Sequence, residues 1–212
     1  RDIYKTVDGG LTWKSVLHVS ENTGFADIIM DPRNPKVLYV AAHQRRRHVF
    51  TYIGGGPESG VYKTVDGGEH WKKINNGLPK VDIGRIGLAI SPADPEYLYA
   101  IVEAAQGKGG FFLSTDRGAS WTKQSKRTTS GNYYQEIVCD PKDPLKVFSL
   151  DTWLAHTVDG GKSFKKTGEK FKHVDNHVIW IEPENTEHWI VGCDGGIYET
   201  WDAAKNWQFK PN

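Results

Sequence analysis

The 212-residue sequence predicts an all-β protein, a β-propeller of four-stranded antiparallel blades. One sequence signature recurs five times, and a second, proline-containing signature recurs four times between its copies. Both are flanked by short runs rich in β-branched and aromatic residues, which are typical of strands. Repeat units of about 43 to 60 residues with four strands each match the blades of a propeller. No segment has a convincing helical periodicity, so we expect at most one real helix.

The first signature predicts the turn between the third and fourth strands of a blade. Its aspartate can accept hydrogen bonds from turn amides, and its glycine can adopt a positive φ. The last copy is degenerate, because alanine and asparagine replace the glycine and the second hydroxyl residue, so we expect the least regular turn there. We call these segments the signature turns: residues 6–13, 64–71, 114–121, 157–164 and 200–207.

Two positions of each signature turn carry the structural prediction. The aspartates are expected to close the turns, and they are Asp8, Asp66, Asp116, Asp159 and Asp202. The closing rings are expected to pack between neighbouring sheets, and they are Trp13, Trp71, Trp121, Phe164 and Trp207.

The second signature predicts a turn between the first and second strands. We call its copies the proline turns: residues 31–35, 91–95, 140–144 and a worn copy at 182–186. In the second complete unit the strands are expected at 84–91, 97–103, 110–115 and 120–124.

The chain is expected to hold one partial propeller domain over residues 1–212, of about four and a half blades. Because Ile3 to Thr6 and Thr12 to Val16 read as third and fourth strands, the sequence opens inside a blade. We therefore expect a part of a ring of seven or more blades, the alternative being a five-bladed ring closed by a partner segment. The predicted units are a half blade at 1–18 and blades at 19–76, 77–125, 126–168 and 169–212.

Composition excludes several classes of protein. With 27 basic and 26 acidic side chains the net charge is +1, which leaves no overall field for holding nucleic acid. No apolar run approaches the roughly 18 residues that would span a bilayer. Cys139 and Cys193 are too few for a disulfide scaffold, which leaves one bridge or two buried thiols.

The signature turns resemble the Asp-box (BNR) repeat of sialidases, xyloglucan-degrading enzymes and the sortilin ectodomain. This resemblance implies a propeller whose box aspartates are structural and lie away from the substrate. The stretch from Gly24 to Trp71 also resembles large secreted bacterial proteins that are often labelled glycosyl hydrolases. A secreted, periplasmic or cell-surface location is the corresponding expectation.

The long connection from His43 to Gly60 is the first candidate site. It is far longer than most connections in compact domains, which favours a binding or lid role. It offers Arg45, Arg47 and Tyr52 as ligand-binding residues. The alternative is a solvated insertion whose arginines pair with neighbouring acids.

The segment from His173 to His177 is the second candidate site. If it is extended, His173, Asp175 and His177 lie on one face, and Asp194 of the same blade lies at the same mouth. Two histidines at that spacing sit too far apart to ligate one metal without a bend. A metal site, a polar ligand-binding or catalytic cluster and hydrogen-bonded structural histidines all stay open. We assign no metal ion and no cofactor.

The third candidate site is the set of inner-strand entrances, which consists of Asp27, Arg85 and the run from Tyr133 to Glu136. Arg85 and Tyr133 are its ligand-binding candidates. Glycoside hydrolysis needs paired carboxylates, which would have to come from different blades. Asp175 and Glu136 are the weak catalytic candidates. A sialidase-like reading is disfavoured, because a substrate carboxylate would need three arginines and only Arg85 stands at an inner strand.

The sequence therefore favours an extracytoplasmic binding or scaffold propeller that recognises a carbohydrate or a protein. The alternative is a sialidase- or xyloglucanase-like glycoside hydrolase with part of its active site outside this chain. The expected partners are a glycan or protein ligand and the rest of the propeller, without nucleic acid or a membrane span. Because alternate turns of a meander point to opposite ends, the first two candidate sites should share the face opposite the signature turns.

Overall fold

A computed structural model describes residues 1–211 of the chain, and these residues form an all-β structure. Twenty strands make one two-stranded sheet, four four-stranded antiparallel sheets and a small hairpin. The single 3-10 turn at Ala105–Gly107 is the only helical element of the described residues. The predicted all-β propeller fold is confirmed, while the boundaries between blades stay predictions.

Each sheet is a meander in which strands that are consecutive in the sheet pair antiparallel. The first sheet holds β1 (Ile3–Lys5) and β2 (Lys14–Leu17). The second holds β3 (Thr23–Met30), β4 (Leu38–Gln44), β7 (Gly60–Thr64) and β8 (Lys72–Lys73), and its long connection folds into the hairpin of β5 (Arg46–His48) and β6 (Thr51–Ile53).

The three remaining sheets repeat this order without a hairpin. The third holds β9 (Ile83–Ile90), β10 (Leu98–Ala104), β11 (Gly110–Ser114) and β12 (Thr122–Ser125). The fourth holds β13 (Glu136–Cys139), β14 (Val147–Leu150), β15 (Ala155–Thr157) and β16 (Lys165–Lys166). The fifth holds β17 (Asn176–Ile181), β18 (Trp189–Cys193), β19 (Gly196–Thr200) and β20 (Gln208–Lys210).

Alternating strand directions give the propeller two distinct faces. Proline turns and signature turns lie together on one, which we call the turn face. There the amide of Gly67 donates to the carbonyl of Lys36 at 2.8 Å, and that of Gly160 donates to Leu145 at 3.0 Å. The connections from second to third strands and from sheet to sheet lie on the opposite end, which we call the loop face. The long connection and the segment before β17 therefore share the loop face, as expected.

The first strands of neighbouring sheets contact one another along the inside of the arc. The backbone amide of Leu88 in β9 donates to Asp27 Oδ2 of β3 at 2.8 Å. Next to it, Gly87 allows β9 to approach the segment before β13, because a Cβ atom at this position would lie 1.6 Å from the carbonyl oxygen of Gln135. The inner strands thus place polar side chains from three sheets close together.

Apolar layers between successive sheets hold the blades together. Equivalent second-strand residues fill them, because Tyr39, Tyr99 and Phe148 are all fully buried. The ring of Trp121 is 4% exposed and donates its Nε1–H to the carbonyl of Ile74 in the preceding sheet at 2.8 Å. This is the radial packing that the sequence predicts for the closing rings.

One closing ring departs from that prediction. Trp13 is 60% exposed and donates only to Gly10 of its own turn, at 3.1 Å. The first sheet has two strands, and among the described residues no sheet covers this ring. The expectation that Trp13 packs between sheets is therefore wrong for residues 1–211.

The signature turns are closed by their aspartates. In the third copy, Asp116 Oδ1 accepts from the Ser114 hydroxyl at 2.7 Å and from the Ser120 amide at 2.9 Å. Its Oδ2 accepts from the Ser120 hydroxyl at 2.6 Å, and Gly118 donates its amide to Ser114 Oγ at 2.8 Å. One carboxylate therefore satisfies donors on both sides of the turn.

The degenerate copy keeps the same pattern, so the expectation of an irregular turn is wrong. Asp202 Oδ1 accepts from the Asn206 amide at 2.9 Å, and the Asn206 side-chain amide replaces the missing hydroxyl, donating to Oδ2 at 2.7 Å. Ala203 and Ala204 adopt φ values of 54° and 71°, in the left-handed region that favours glycine. Hydrogen bonding thus holds these alanines in a strained conformation.

The two cysteines are free thiols, Cys139 buried and Cys193 half-buried. Burial raises the pKa of the Cys139 thiol well above its ordinary value. Within residues 1–211 there is no helix of the length and apolar character that would cross a membrane.

Candidate ligand-binding face

An open cleft of about 420 Å³ lies on the loop face, where the first, second and third sheets and the segment before β13 meet. Its volume is in the range of small-molecule sites. The residues that line it are Arg1, Gly24, Phe25, Ala26, His43, Arg45, Arg85, Gly131 and Asn132. Sequence reasoning named Arg45 and Arg85 for this role and missed His43 and Asn132.

Arg45, which directly precedes the β5–β6 hairpin, lines the cleft. The Arg45 guanidinium lies 5.4 Å from the ring centroid of Tyr52, and the Tyr52 hydroxyl donates to Asn132 Oδ1 at 2.7 Å. Arg47 projects from the exposed hairpin and does not line the cleft. The hairpin tip carries Val49 and Phe50, both almost fully exposed.

The hairpin arginines do not pair with neighbouring acids. Among the ion pairs of residues 1–211, none includes Arg45, Arg46 or Arg47. Glu58, the acid nearest in the sequence, instead accepts hydrogen bonds from Ser20 and Thr23, which lower its pKa. The alternative prediction, a solvated insertion whose arginines pair with neighbouring acids, is therefore wrong for the described residues.

His43 lies at the floor of the cleft. It is 8% exposed, and its Nε2 atom is 3.2 Å from the carbonyl oxygen of Gly54 at the base of the hairpin. Burial, the main influence, lowers the pKa of His43 below the ordinary value of 6.5. A neutral imidazole that donates to Gly54 explains this contact.

Two carboxyl groups flank the Arg85 side chain on the inner strands. Arg85 Nη2 lies 3.5 Å from Glu136 Oε1, and Arg85 lies near Asp27. Burial raises the pKa of Asp27, although the hydrogen bond from the Leu88 amide acts in the opposite direction. Burial also raises the pKa of Glu136. The two carboxyl groups come from different sheets, as the sequence argument for paired acids requires.

A second polar group lies further along the loop face, where the fourth and fifth sheets meet. The Tyr134 hydroxyl donates to Asp175 Oδ1 at 2.7 Å, and the Tyr134 ring stacks on His177 with 5.4 Å between centroids. His177 Nε2 lies 2.9 Å from Asp194 Oδ1. We call Tyr134, Asp175, His177 and Asp194 the tyrosine cluster. The sequence analysis included Tyr134 only as part of the polar and aromatic run from Tyr133 to Glu136 and did not assign it as a ligand-binding residue.

The prediction that His173, Asp175 and His177 lie in a row on one face of an extended segment is wrong. Asp175 adopts a φ of 64°, and β17 begins only at Asn176, so the segment is not extended. His173 turns away, and its Nδ1 lies 2.8 Å from the carbonyl of Val174. The structure therefore joins Asp175, His177 and Asp194 and leaves His173 outside.

A buried ion pair supports the tyrosine cluster from below. Lys172 Nζ lies 2.8 Å from Glu169 Oε1 and donates to Asn176 Oδ1 at 2.6 Å. Asn176 in turn donates to the carbonyls of Asp151 and Thr152 at 3.1 and 3.2 Å. The network is hydrogen-bonded throughout, as a buried charge requires, and it fixes the backbone next to Asp175. No local sequence pattern marks it.

Tyr133 is an exposed aromatic residue at the rim between the two polar groups, with 70% of its surface accessible. Its ring lies 6.5 Å from that of Tyr134. No group of three or more His, Cys, Asp or Glu residues in the described part of the chain is arranged to hold a metal ion. The polar groups of this face are suited to hydrogen bonding and proton transfer.

Comparison with known proteins finds relatives that are named as xyloglucanases. An oligoxyloglucan-reducing end-specific xyloglucanase of Emericella nidulans is 25% identical over 231 aligned residues, covering 98% of this chain and 26% of the relative. Xyloglucanase Xgh74A of Acetivibrio thermocellus is 26% identical over 188 residues, covering 85% of this chain and 20% of the relative. The chain thus spans about a quarter or less of the length of these curated relatives.

Solved structures share the fold at low sequence identity. An ancestral GH74 enzyme superimposes with a TM-score of 0.60 at 16% identity, over 92% of this chain and 25% of that chain. YCF48 from Cyanidioschyzon merolae superimposes with a TM-score of 0.58 at 14% identity, over 94% of this chain and 60% of that chain. The Sortilin-Vps10 family (sortilin, neurotensin receptor 3) matches residues 1–151, which is more than half of the 212 residues. The chain therefore belongs to the Sortilin-Vps10 family.

Proposed function

We propose that this protein binds a glycan at its loop face. The observation that carries the proposal is the cleft of about 420 Å³, in which polar residues from several sheets converge and whose residue Asn132 holds the Tyr52 ring by a hydrogen bond. Binding sites for small molecules combine a concave surface with a few positioned polar groups in this way. The turn face, by contrast, uses its carboxylates to close its own turns.

Aromatic residues at the cleft rim suit a sugar ligand. Tyr52 is held by its hydrogen bond to Asn132, and Tyr133 is exposed next to that residue. Tyrosine offers an apolar ring face together with a polar hydroxyl, which matches the apolar and hydroxyl-bearing surfaces of a sugar. Relatives named as xyloglucanases support a polysaccharide as the ligand.

The proposal includes an extracytoplasmic location, either secreted, periplasmic or at the cell surface. A polysaccharide of the cell exterior is too large and too polar to cross a membrane, so a protein that binds such a ligand works outside the cytoplasm. The repeats of this chain, which we assign to the Asp-box type, then serve as the scaffold that carries the loop face.

A binding titration tests the proposal. We expect calorimetry with a panel of neutral and acidic plant cell-wall oligosaccharides to show saturable binding, which Tyr133→Ala weakens by about tenfold, the scale of 1.4 kcal/mol. Tyr4→Ala is the matched control, because Tyr4 is also exposed, whereas Tyr133 directly follows the cleft residue Asn132 in the chain. Equal losses in the two variants, or no binding of any oligosaccharide, would contradict the proposal.

Hydrolysis of the bound glycan is the second candidate function. It is favoured by the raised pKa values of Asp27 and Glu136, because a general acid must keep its proton near the working pH. Glu136 is also partly exposed, so a substrate can reach it. Further active-site groups would then come from parts of the whole protein outside residues 1–212.

Product analysis separates hydrolysis from binding. If the second candidate is correct, the protein releases reducing ends from the polysaccharide, and Glu136→Gln lowers that rate by about a hundredfold or more while binding persists. Asp175→Asn tests the tyrosine cluster in the same assay. Binding without any release of reducing ends leaves the first function and removes the second.

A further inference from the structure

Within residues 1–211, the residues that line the cleft include three arginines and no carboxylate, while Glu136, outside this lining, lies 3.5 Å from Arg85. Arg1, Arg45 and Arg85 line it beside His43 and Asn132, and the Arg1 guanidinium donates to the carbonyl of Arg45 at 2.7 Å. Among the described residues that line it, none is an aspartate or a glutamate. The net charge of the protein is only +1, so this concentration of positive charge is a property of the cleft and not of the whole molecule.

The Arg45 guanidinium keeps its hydrogen-bonding capacity available to a ligand. Within residues 1–211 it forms no ion pair, and its described side-chain contact is with the ring of Tyr52 at 5.4 Å. Stacking on a ring leaves the N–H donors at the edge of the guanidinium plane available. Because Tyr52 is anchored to Asn132, Arg45 is oriented before a ligand arrives.

Arg85 faces the same cleft from a rigid strand. Its backbone amide donates to Glu103 Oε2 at 3.2 Å, and its carbonyl accepts from Gln135 Nε2 at 3.3 Å. Its side chain lies 3.5 Å from Glu136, which is longer than a close charge-assisted hydrogen bond. Asp27, the other nearby carboxyl group, accepts from the amide of Leu88. Arg85 therefore keeps donors for a ligand.

We infer that the cleft selects an acidic saccharide, whose carboxylate binds Arg45 and Arg85 while its rings contact the tyrosines at the rim. The inference rests on the proposed glycan-binding function and names its ligand class. A planar guanidinium matches a carboxylate with two parallel hydrogen bonds, which a neutral sugar cannot form. A sulfate ester offers related anionic chemistry, so the experiment includes it.

The test is a calorimetric titration at fixed salt with three oligosaccharides of equal length. These are an oligogalacturonate, a neutral xyloglucan fragment and a sulfated galactan fragment. We expect the oligogalacturonate to bind at least about tenfold more tightly than the neutral fragment. Arg45→Gln should lower the affinity for the oligogalacturonate by about tenfold, a larger factor than its effect on the affinity for the neutral fragment.

Matched variants separate a positioned arginine from general charge. Arg46→Gln removes the same charge one residue further along the exposed hairpin, outside the cleft, and should change affinity by less than about twofold. Arg45→Lys keeps the charge without the planar fork and should recover only part of the affinity. Because Arg45 and Arg46 are exposed, these variants should fold. Arg85→Gln is the corresponding test of the arginine on β9 and should also weaken binding of the oligogalacturonate.

Each outcome decides the inference. Equal losses in Arg45→Gln and Arg46→Gln, or tighter binding of the sulfated fragment than of the oligogalacturonate, would overturn it. Binding of the neutral fragment alone would also overturn it, but would leave the proposed glycan-binding function intact. Absence of binding by all three fragments would overturn both.

Discussion

The hydroxyl group of Tyr134 donates a 2.7 Å hydrogen bond to Asp175 Oδ1 and thereby joins the fourth and fifth sheets at the loop face. This bond raises the pKa of the tyrosine, because the nearby carboxylate disfavours a phenolate. The same ring stacks on His177, which in turn contacts Asp194. One tyrosine therefore orients an acid and a base of the tyrosine cluster together.

Replacing Tyr134 by phenylalanine tests this link. Tyr134→Phe keeps the stacking on His177 but removes the hydrogen bond, so we expect a loss of about 0.5–1.5 kcal/mol in the free energy of unfolding. Amide exchange at Asp194 should quicken, because that amide donates to the Asp175 carbonyl. Tyr133→Phe is the control, since Tyr133 is exposed. Equal effects of the two substitutions would show that the bond does not join the sheets.

A glycine on an inner strand sets the spacing of the sheets. Gly87→Ala places a Cβ atom 1.6 Å from the carbonyl oxygen of Gln135, so β9 must move away from the fourth sheet. We expect a destabilisation of about 1–3 kcal/mol in denaturant unfolding. Gly24→Ala on β3 is the control, because its nearest neighbour would be 3.9 Å away. A variant Gly87→Ala as stable as Gly24→Ala would contradict the close approach of the strands.

The repeated turns made most of the fold predictable from the sequence. Each signature turn contains its own donors and acceptor within eight residues, so its local chemistry fixes both its position and the strands on either side. Asp116 illustrates this, because its partners Ser114 and Ser120 are at most four residues away. The predicted strand at 84–91 is accordingly within one residue of β9.

The candidate site was harder to predict because tertiary contacts build it. Tyr52 and Asn132 are 80 residues apart, and only the curvature of the arc brings them together at the cleft. The bend at Asp175 depends on contacts of its neighbours with the loop that precedes β15, including the 2.9 Å bond from its amide to Thr152. Periodicity therefore predicted an extended row where the structure has a turn.

Removing the carboxylate of a signature turn tests its structural role. Asp116→Ala leaves the donors of Ser114 and Ser120 without their acceptor, so we expect a loss of about 1–3 kcal/mol in the free energy of unfolding. Ligand binding at the loop face should persist in the folded fraction. Asp82→Ala is the matched control, because Asp82 is exposed and outside the signature turns. Loss of binding without loss of stability would assign Asp116 to the site instead.

Acid should destabilise the protein through the signature turns. Hydrogen bonds, first from the Thr12 side chain, lower the pKa of Asp8 from 3.8 to about 2, and similar bonds lower the pKa values of Asp159 and Asp202. Because the unfolded chain binds these protons more tightly, the stabilisation is present above about pH 4 and is lost as the pH falls toward about 2. We expect the urea midpoint to fall across that window.

A matched variant isolates the contribution of one turn to the acid transition. Asp159→Asn cannot titrate at this position, so its urea midpoint should be lower at neutral pH and should fall less steeply between about pH 4 and pH 2. An identical pH profile in the two proteins would show that the signature turns do not cause the acid transition.

Mapping a bound glycan onto the two faces tests the central claim most directly. In a two-dimensional NMR titration with an oligogalacturonate, backbone amides that line the cleft, such as those of Arg45, Arg85 and Asn132, should shift with saturation. Amides of the signature turns, such as Gly68 and Gly118, should stay unchanged. Saturable shifts confined to the signature turns, with none at the cleft, would contradict a glycan-binding loop face.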